Sequence, residues 1–350
     1  MTAPLKLLLR RKMGDEFPSH PEEKITRVVD EMRTIGEENP GVPGEEDEEE
    51  PDVFAYDESS VRREEYRVLQ NEHGSEGKDV DLVVRKADMS RLPSQLNGLI
   101  SDISLIEKLK ETRVFAGFSR LLYERPRNAP DSQRMLWREW PKYHRDRWLP
   151  ASIVQGEGML ITLDNDTLSV WEREDSVQQQ TQLLQDNFNS AAARYRWMPK
   201  VISSRLILIH SLAHALINQL VFECGYGSAS LRERLYVEQG DDGEMSGFMI
   251  YTASGDSEGS MGGLVRMGEP DKLGEVLFKA LNKVSWCGGD PICGEAVQHG
   301  GQGPDSLNLA ACRSCLLLPE TSCEEFNRFL DRSFLTGVLT GPEAWTTYTY

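Results

Sequence analysis

Leu206 to Phe222 reads LILIHSLAHALINQLVF, and this stretch sets the architecture the chain can adopt. Wound as a helix, it carries apolar side chains on nearly every face, so it belongs at the centre of a core. His210, Ser211, His214, Asn218 and Gln219 interrupt the apolar run, which argues for a buried helix and against a membrane span. Pro199 is a natural opening residue, because the N–H at the first helical position has no partner to lose. Gly225 and Gly227 supply the end.

Upstream, GEGMLITL (Gly156 to Leu163) has the composition of a strand between turn signals. Leu96, Leu99, Ile100, Ile103, Ile106 and Leu109 recur at intervals of three and four, which predicts an amphipathic helix. Asp164 to Asn189 is polar and Gln-rich and reads as helix, with Trp171 as its buried anchor. Downstream, the pattern predicts a strand from Gly247 to Ala253 and a glycine-rich loop from Gly255 to Gly263. Helices follow over Lys272 to Val284 and Glu324 to Leu335. The expected fold class is therefore α+β: mixed helices and a short sheet around a central buried helix, with a cysteine site near the C-terminus.

Three regions follow from composition. Residues 1–90 form an acidic, partly disordered extension, with EEDEEE at Glu45 to Glu50 after the loop Asn39 to Gly44. Short helices are plausible there over Pro21 to Ile35 and Ser59 to Glu72, and order is expected from near Val80. Residues 91–198 form a helical and strand region, and residues 199–340 a domain that holds every cysteine of the chain. The formal net charge of −18 repels phosphate, so strong nonspecific DNA binding over the whole surface is not expected and any contact needs a local basic patch.

All six cysteines fall between Cys224 and Cys323. Clustering of this kind in a long chain points to metal and not to a disulfide framework. Cys312 and Cys315 form a CxxC knuckle, which presents two sulfurs from one tight turn. Cys287, Cys293 and Cys323 are the candidates for the rest of a tetrahedral zinc site. Five candidates for four positions leave the set open, and buried free thiols or an iron–sulfur cluster are the competing readings. Cys224, at a helix end, reads as a core cysteine.

His210 and His214 lie one helical turn apart and share a face, a spacing that can hold a metal. The zinc-protease motif needs a glutamate after the first histidine, where this chain has Ser211, so buried core histidines are the simpler reading. The Gly-rich loop lacks the Lys-Ser/Thr ending of a Walker A motif and contains Asp256 and Glu258, so it reads as a structural turn. An unrecognised hydrolytic site around the histidines and this loop is a third reading. No Gly-x-Ser-x-Gly elbow or Cys/His nucleophile signature occurs, and the chain reads as non-enzymatic.

Lys108 to Arg147 breaks the acidic pattern, with eleven Lys or Arg against five Asp or Glu. Phe115, Phe118, Tyr123, Trp137, Trp140 and Tyr143 are interleaved, and Trp148 follows. Cations beside rings suit single-stranded nucleic acid, whereas rings in a core with arginines paired to acids are the bland alternative.

Five blocks in order carry a family resemblance: HSLAHALI (His210 to Ile217), CGYGSASLRERLY (Cys224 to Tyr236), IYTASGDSEGSMGGL (Ile250 to Leu264), WCGGDPICGE (Trp286 to Glu295) and LNLAACRSCLLLPETSCEEFNRFLDR (Leu307 to Arg332). Together they resemble the C-terminal zinc-binding domain of the DrmB-like family, subunits of the DISARM anti-phage defence system. The cysteine-containing domain of MrfA-type DNA-repair helicases is a more distant likeness. GFSRL (Gly117 to Leu121) and WLPASIVQGEGMLI (Trp148 to Ile161) extend the resemblance to roughly Ile106 to Leu339. DrmB-like proteins usually carry a cysteine-rich N-terminal half that has no counterpart here. The resemblance implies a zinc-binding accessory subunit of an antiviral defence complex, and the N-terminal apolar run Leu7 to Leu9, too short for a signal-peptide core, leads to the expectation of a cytoplasmic protein. It would dock on a helicase subunit encoded by another gene and meet DNA through that complex, without touching a membrane. The alternative is a stand-alone nucleic-acid-binding protein that uses the 108–147 segment.

Overall fold

The computed structural model describes residues 58–74, 80–115, 148–195, 197–227, 229–239, 244–252 and 262–336. All of these fall in one compact unit, Phe54–Tyr350. The acidic run at 45–50, the helix expected at 21–35, nearly all of the Gly-rich loop and residues 116–147 of the basic–aromatic segment lie outside the described residues.

The expected mixture of helices and strands around a buried helix is what the chain adopts. In order, the elements are α1 (Glu58–Leu69), β1 (Leu82–Lys86), β2 (Ile100–Val114), β3 (Ala151–Leu163), α2 (Asn165–Trp171), α3 (Asp175–Tyr195), α4 (Ser204–Cys224), β4 (Leu231–Glu238), β5 (Met245–Thr252), α5 (Gly263–Met267), α6 (Pro270–Val284) and α7 (Ser333–Thr336). The five strands form one antiparallel sheet in the order β1-β2-β3-β5-β4.

Both faces of this sheet are covered, and the side chains alternate between two cores. Ile103 and Leu105, Met159 and Ile161, Phe248 and Ile250, and Leu231 and Leu235 join the larger core with α3, α4 and α6. Ile106, Leu160, Met249, Tyr251 and Tyr236 join a smaller core with Tyr66 and Leu69 of α1. Tyr66 stacks on Tyr236 with ring centroids 5.0 Å apart. This period of two is the strand signature, with both faces apolar because both are buried.

Double burial also explains why the segment around Ile103 is a strand and not the expected helix. Ile100, Ile103, Ile106 and Leu109 fall at intervals of three because the two faces are counted together and the pairing with β3 shifts between Ile100 and Asp102 and again between Ile106 and Leu109. Such irregularities return residues of odd spacing to one face. Leu96 sits ahead of the strand in a short 3-10 turn.

α4 is the hub, with nearly every residue from Arg205 to Leu220 buried. It has the length and hydropathy of a membrane span, but its apolar surface is spent on the core. Ser203, not Pro199, begins it: the Ser203 hydroxyl accepts the Leu206 N–H at 3.1 Å, satisfying a donor that a proline cannot. Gly225 ends it at φ 70°, the left-handed conformation a helix C-terminus commonly demands. The polar stretch after Asp164 forms two helices, capped at the first by Asp164 and with Trp171 buried as expected. The helix expected over Glu324 to Leu335 shrinks to the turn Ser333–Thr336. Phe326, Asn327 and Phe329 adopt positive φ there, and the Asn327 side chain bonds both the N–H and the carbonyl of Leu318, so side-chain bonding displaces helix.

Candidate metal centre

Cys287 follows the C-terminal end of α6, and Cys293 lies in the next turn. Asp290 shapes that turn, accepting the N–H groups of Cys287 and Gly294, each at 2.9 Å. Arg332 pairs with the same carboxylate and also donates to the carbonyls of Val284, the last residue of α6, and of Ser285 just beyond it. Cys312 and Cys315 come from the knuckle turn, closed by the Cys315 N–H bond to the Cys312 carbonyl at 3.1 Å.

These four thiols converge. Cys287 and Cys312 sulfurs lie 3.4 Å apart, while Cys293–Cys315 and Cys312–Cys315 are both 3.8 Å. All four lie within 4.8 Å of one another and none is in a disulfide. Tetrahedral zinc with bonds of about 2.3 Å to sulfur requires sulfur–sulfur edges of about 3.8 Å, so the donor set fits the metal. Backbone N–H groups of Gly289, Cys312 and Ser314 point at the sulfurs of Cys287, Cys315 and Cys312, as expected around thiolates. Gln302 adds a side-chain N–H 3.5 Å from the Cys293 sulfur. Hydrogen bonding with Cys315 draws the Cys293 thiol down, and the same contact together with burial pushes Cys315 up, as crowding of acidic groups in one pocket demands.

Cys323, the fifth candidate, lies in a different cluster with His210, His214 and Glu233, all of them buried. His210 Nε2 is 3.2 Å from the Cys323 sulfur and 3.1 Å from Glu233 Oε1. His214 Nε2 is 3.4 Å from Glu233 Oε2. Burial acts to raise the pKa of Glu233, but the two imidazoles beside it hold its carboxyl well below the usual carboxylate range. Burial acts to lower that of His210, and Glu233 and Cys323 reverse the effect and raise it well above the usual value. Cys224 stands apart from both clusters, its thiol pushed up by burial to about 11.

Glu233 escaped the motif reading because a glutamate in LRERLYVE looks like ordinary strand surface. The available signal was its place: Leu231, Glu233 and Leu235 share one face of β4, so an acid sits on the apolar side.

Fold and cluster together define a zinc-binding α+β domain hung on one central helix, and zinc is its cofactor. Residues 212–316 match the family model for the MrfA Zn-binding domain, a range that contains the four converging cysteines. The chain is also 33% identical over 252 residues, 71% of its length, to a protein of Bacillus paralicheniformis described as "DISARM protein DrmB". That match covers 43% of the relative, so the chain spans less than half of its length. The resemblance to DrmB-like proteins carried by the five blocks is thereby borne out.

Proposed function

We propose that this chain is a non-enzymatic zinc-binding accessory subunit of a DISARM-type anti-phage complex, acting in the cytoplasm and helping a partner helicase engage DNA. The observation that carries this reading is the convergence of Cys287, Cys293, Cys312 and Cys315 inside the segment that matches the MrfA Zn-binding domain, in a chain similar to DrmB. The four cysteines are the proposed zinc ligands. Such a closed tetrathiolate has no open position for substrate, which suits a structural role.

The partner is a helicase subunit encoded by another gene. Trp286 and Ile292, 71% and 76% exposed beside Cys287 and Cys293, are large apolar groups in the place where docking on a partner would use them. DNA reaches the complex through the basic–aromatic segment. Coexpression with a DISARM-type helicase subunit should yield a complex that copurifies, and joint Trp286→Ala and Ile292→Ala substitution should release it. Charge reversal at Arg134, Arg138 and Lys142 should weaken DNA binding by the complex and flatten its salt dependence, because fewer counterions are displaced. Unchanged affinity and slope at two salt concentrations would remove DNA from the reading. Without a Walker A lysine, the chain alone should hydrolyse no ATP; turnover that survives removal of contaminating enzymes would refute the non-enzymatic assignment.

A further inference from the structure

His210, His214, Glu233 and Cys323 present two nitrogens, a carboxylate and a sulfur to one closed space, with no exposure to solvent at the two rings and the acid. With both rings neutral, their hydrogen bonding does not close: the pocket calls for a bound proton or a metal cation. His214 Nδ1 lies 2.9 Å from the Leu316 carbonyl, which can only accept, so Nδ1 carries a proton and in the neutral ring Nε2 carries a lone pair. That Nε2 faces Glu233 Oε2, and both atoms are buried without a hydrogen-bond partner. Two lone-pair atoms buried face to face repel, and each forgoes the hydrogen bonds that water would have given it.

We propose that these four residues form a second metal site, a buried centre of two imidazoles, one carboxylate and one thiolate that binds zinc. The donor set is the mixed nitrogen, oxygen and sulfur kind that zinc accepts in a tetrahedron, with edges of about 3.3–3.5 Å expected from its bond lengths. His210 Nε2 lies 3.1 Å from Glu233 Oε1 and 3.2 Å from the Cys323 sulfur, a few tenths of an ångström inside those edges, and one donor atom from each of the four residues lies within 4.8 Å of the others. One carboxylate and one thiolate neutralise a divalent cation, so the loaded site carries no net charge into the core. Outer contacts are in place for three of the four ligands, while His210 Nδ1 is buried without a partner. The Leu316 carbonyl orients His214, and the Asn327 N–H points at the Cys323 sulfur from 3.1 Å. The Glu324 N–H bonds Glu233 Oε1 at 3.2 Å. Bonds of this kind fix ligand geometry around metals. No side is open, so the site is structural. It ties α4 to β4 and to the loop at Cys323, and through Leu316, the residue after Cys315, it adjoins the four-cysteine centre.

The test is zinc quantification and zinc-edge X-ray absorption on the full chain purified without chelators. Two sites give about two zinc ions per chain and averaged neighbours of about 2.5 sulfurs and about 1.5 nitrogens or oxygens. Glu233→Gln and Cys323→Ser should each leave about one zinc with four sulfur neighbours, whereas Cys315→Ser should leave about one zinc with mixed neighbours. Where a variant does not fold, the wild-type absorption spectrum decides. One zinc surrounded by four sulfurs in the wild type would overturn the second site and leave the four-cysteine centre standing. One zinc with mixed neighbours would overturn the four-cysteine centre and keep the second site.

Discussion

Asp331 is fully buried, with Oδ1 accepting the Ser333 N–H at 2.8 Å and Oδ2 left without a partner. Desolvation pushes its carboxyl up to about 6. The folded chain therefore holds a proton that the unfolded chain releases near pH 4, so this group favours folding most below about pH 4. That contribution fades as pH rises and is gone above about pH 6. Asp331→Asn, which stays neutral, should remove this slope, and the wild-type and variant stabilities should converge or cross by on the order of 3 kcal/mol over that window. Urea titrations of both proteins at several pH values check it, and parallel curves would reject it. At the same scale, Cys315→Ser should cost the four-cysteine centre its zinc and lower the melting temperature. An unaltered zinc content by elemental analysis would show that Cys315 is no ligand.

Among the elements, α4 concentrates the most burial, so its side chains should be the least replaceable. Leu216 is 0% exposed, and Leu216→Ala should cost about 2–5 kcal/mol through lost burial and the cavity left behind. Gly225→Ala should cost only about 1 kcal/mol, because the left-handed backbone is strained but a Cβ there would meet nothing within 4 Å. Equal losses from the two variants in denaturant unfolding would show that the helix end is as constrained as its middle. α4 was legible because an all-apolar stretch of this length has few alternatives. β2 was not, because a strand buried on both faces and broken by register shifts imitates a helical spacing.

For the molecule as a whole, long-range polar contacts hold α1 on the sheet. Arg234 of β4 bridges Glu65 and Glu324, and Arg62 meets Glu324 at 2.9 Å and the Leu235 carbonyl at 2.7 Å. Zinc adds cross-links of a different strength, because binding to the folded chain alone is linked to its stability. At free zinc a hundredfold above the dissociation constant, the linkage amounts to about 2.7 kcal/mol. The melting temperature should accordingly climb with free zinc in a buffered series, and a flat response would mean that the metal contributes nothing to folding. Ligand chemistry, fold class and the central helix follow from residue type and local spacing, since a CxxC turn and an all-apolar helix are properties of neighbours along the chain. Which four cysteines meet, and that Glu233 and Cys323 join two histidines instead, depend on how distant segments pack. His210 and Cys323 are 113 positions apart, and only the docking of β4 and the C-terminal loop against α4 closes that distance to 3.2 Å.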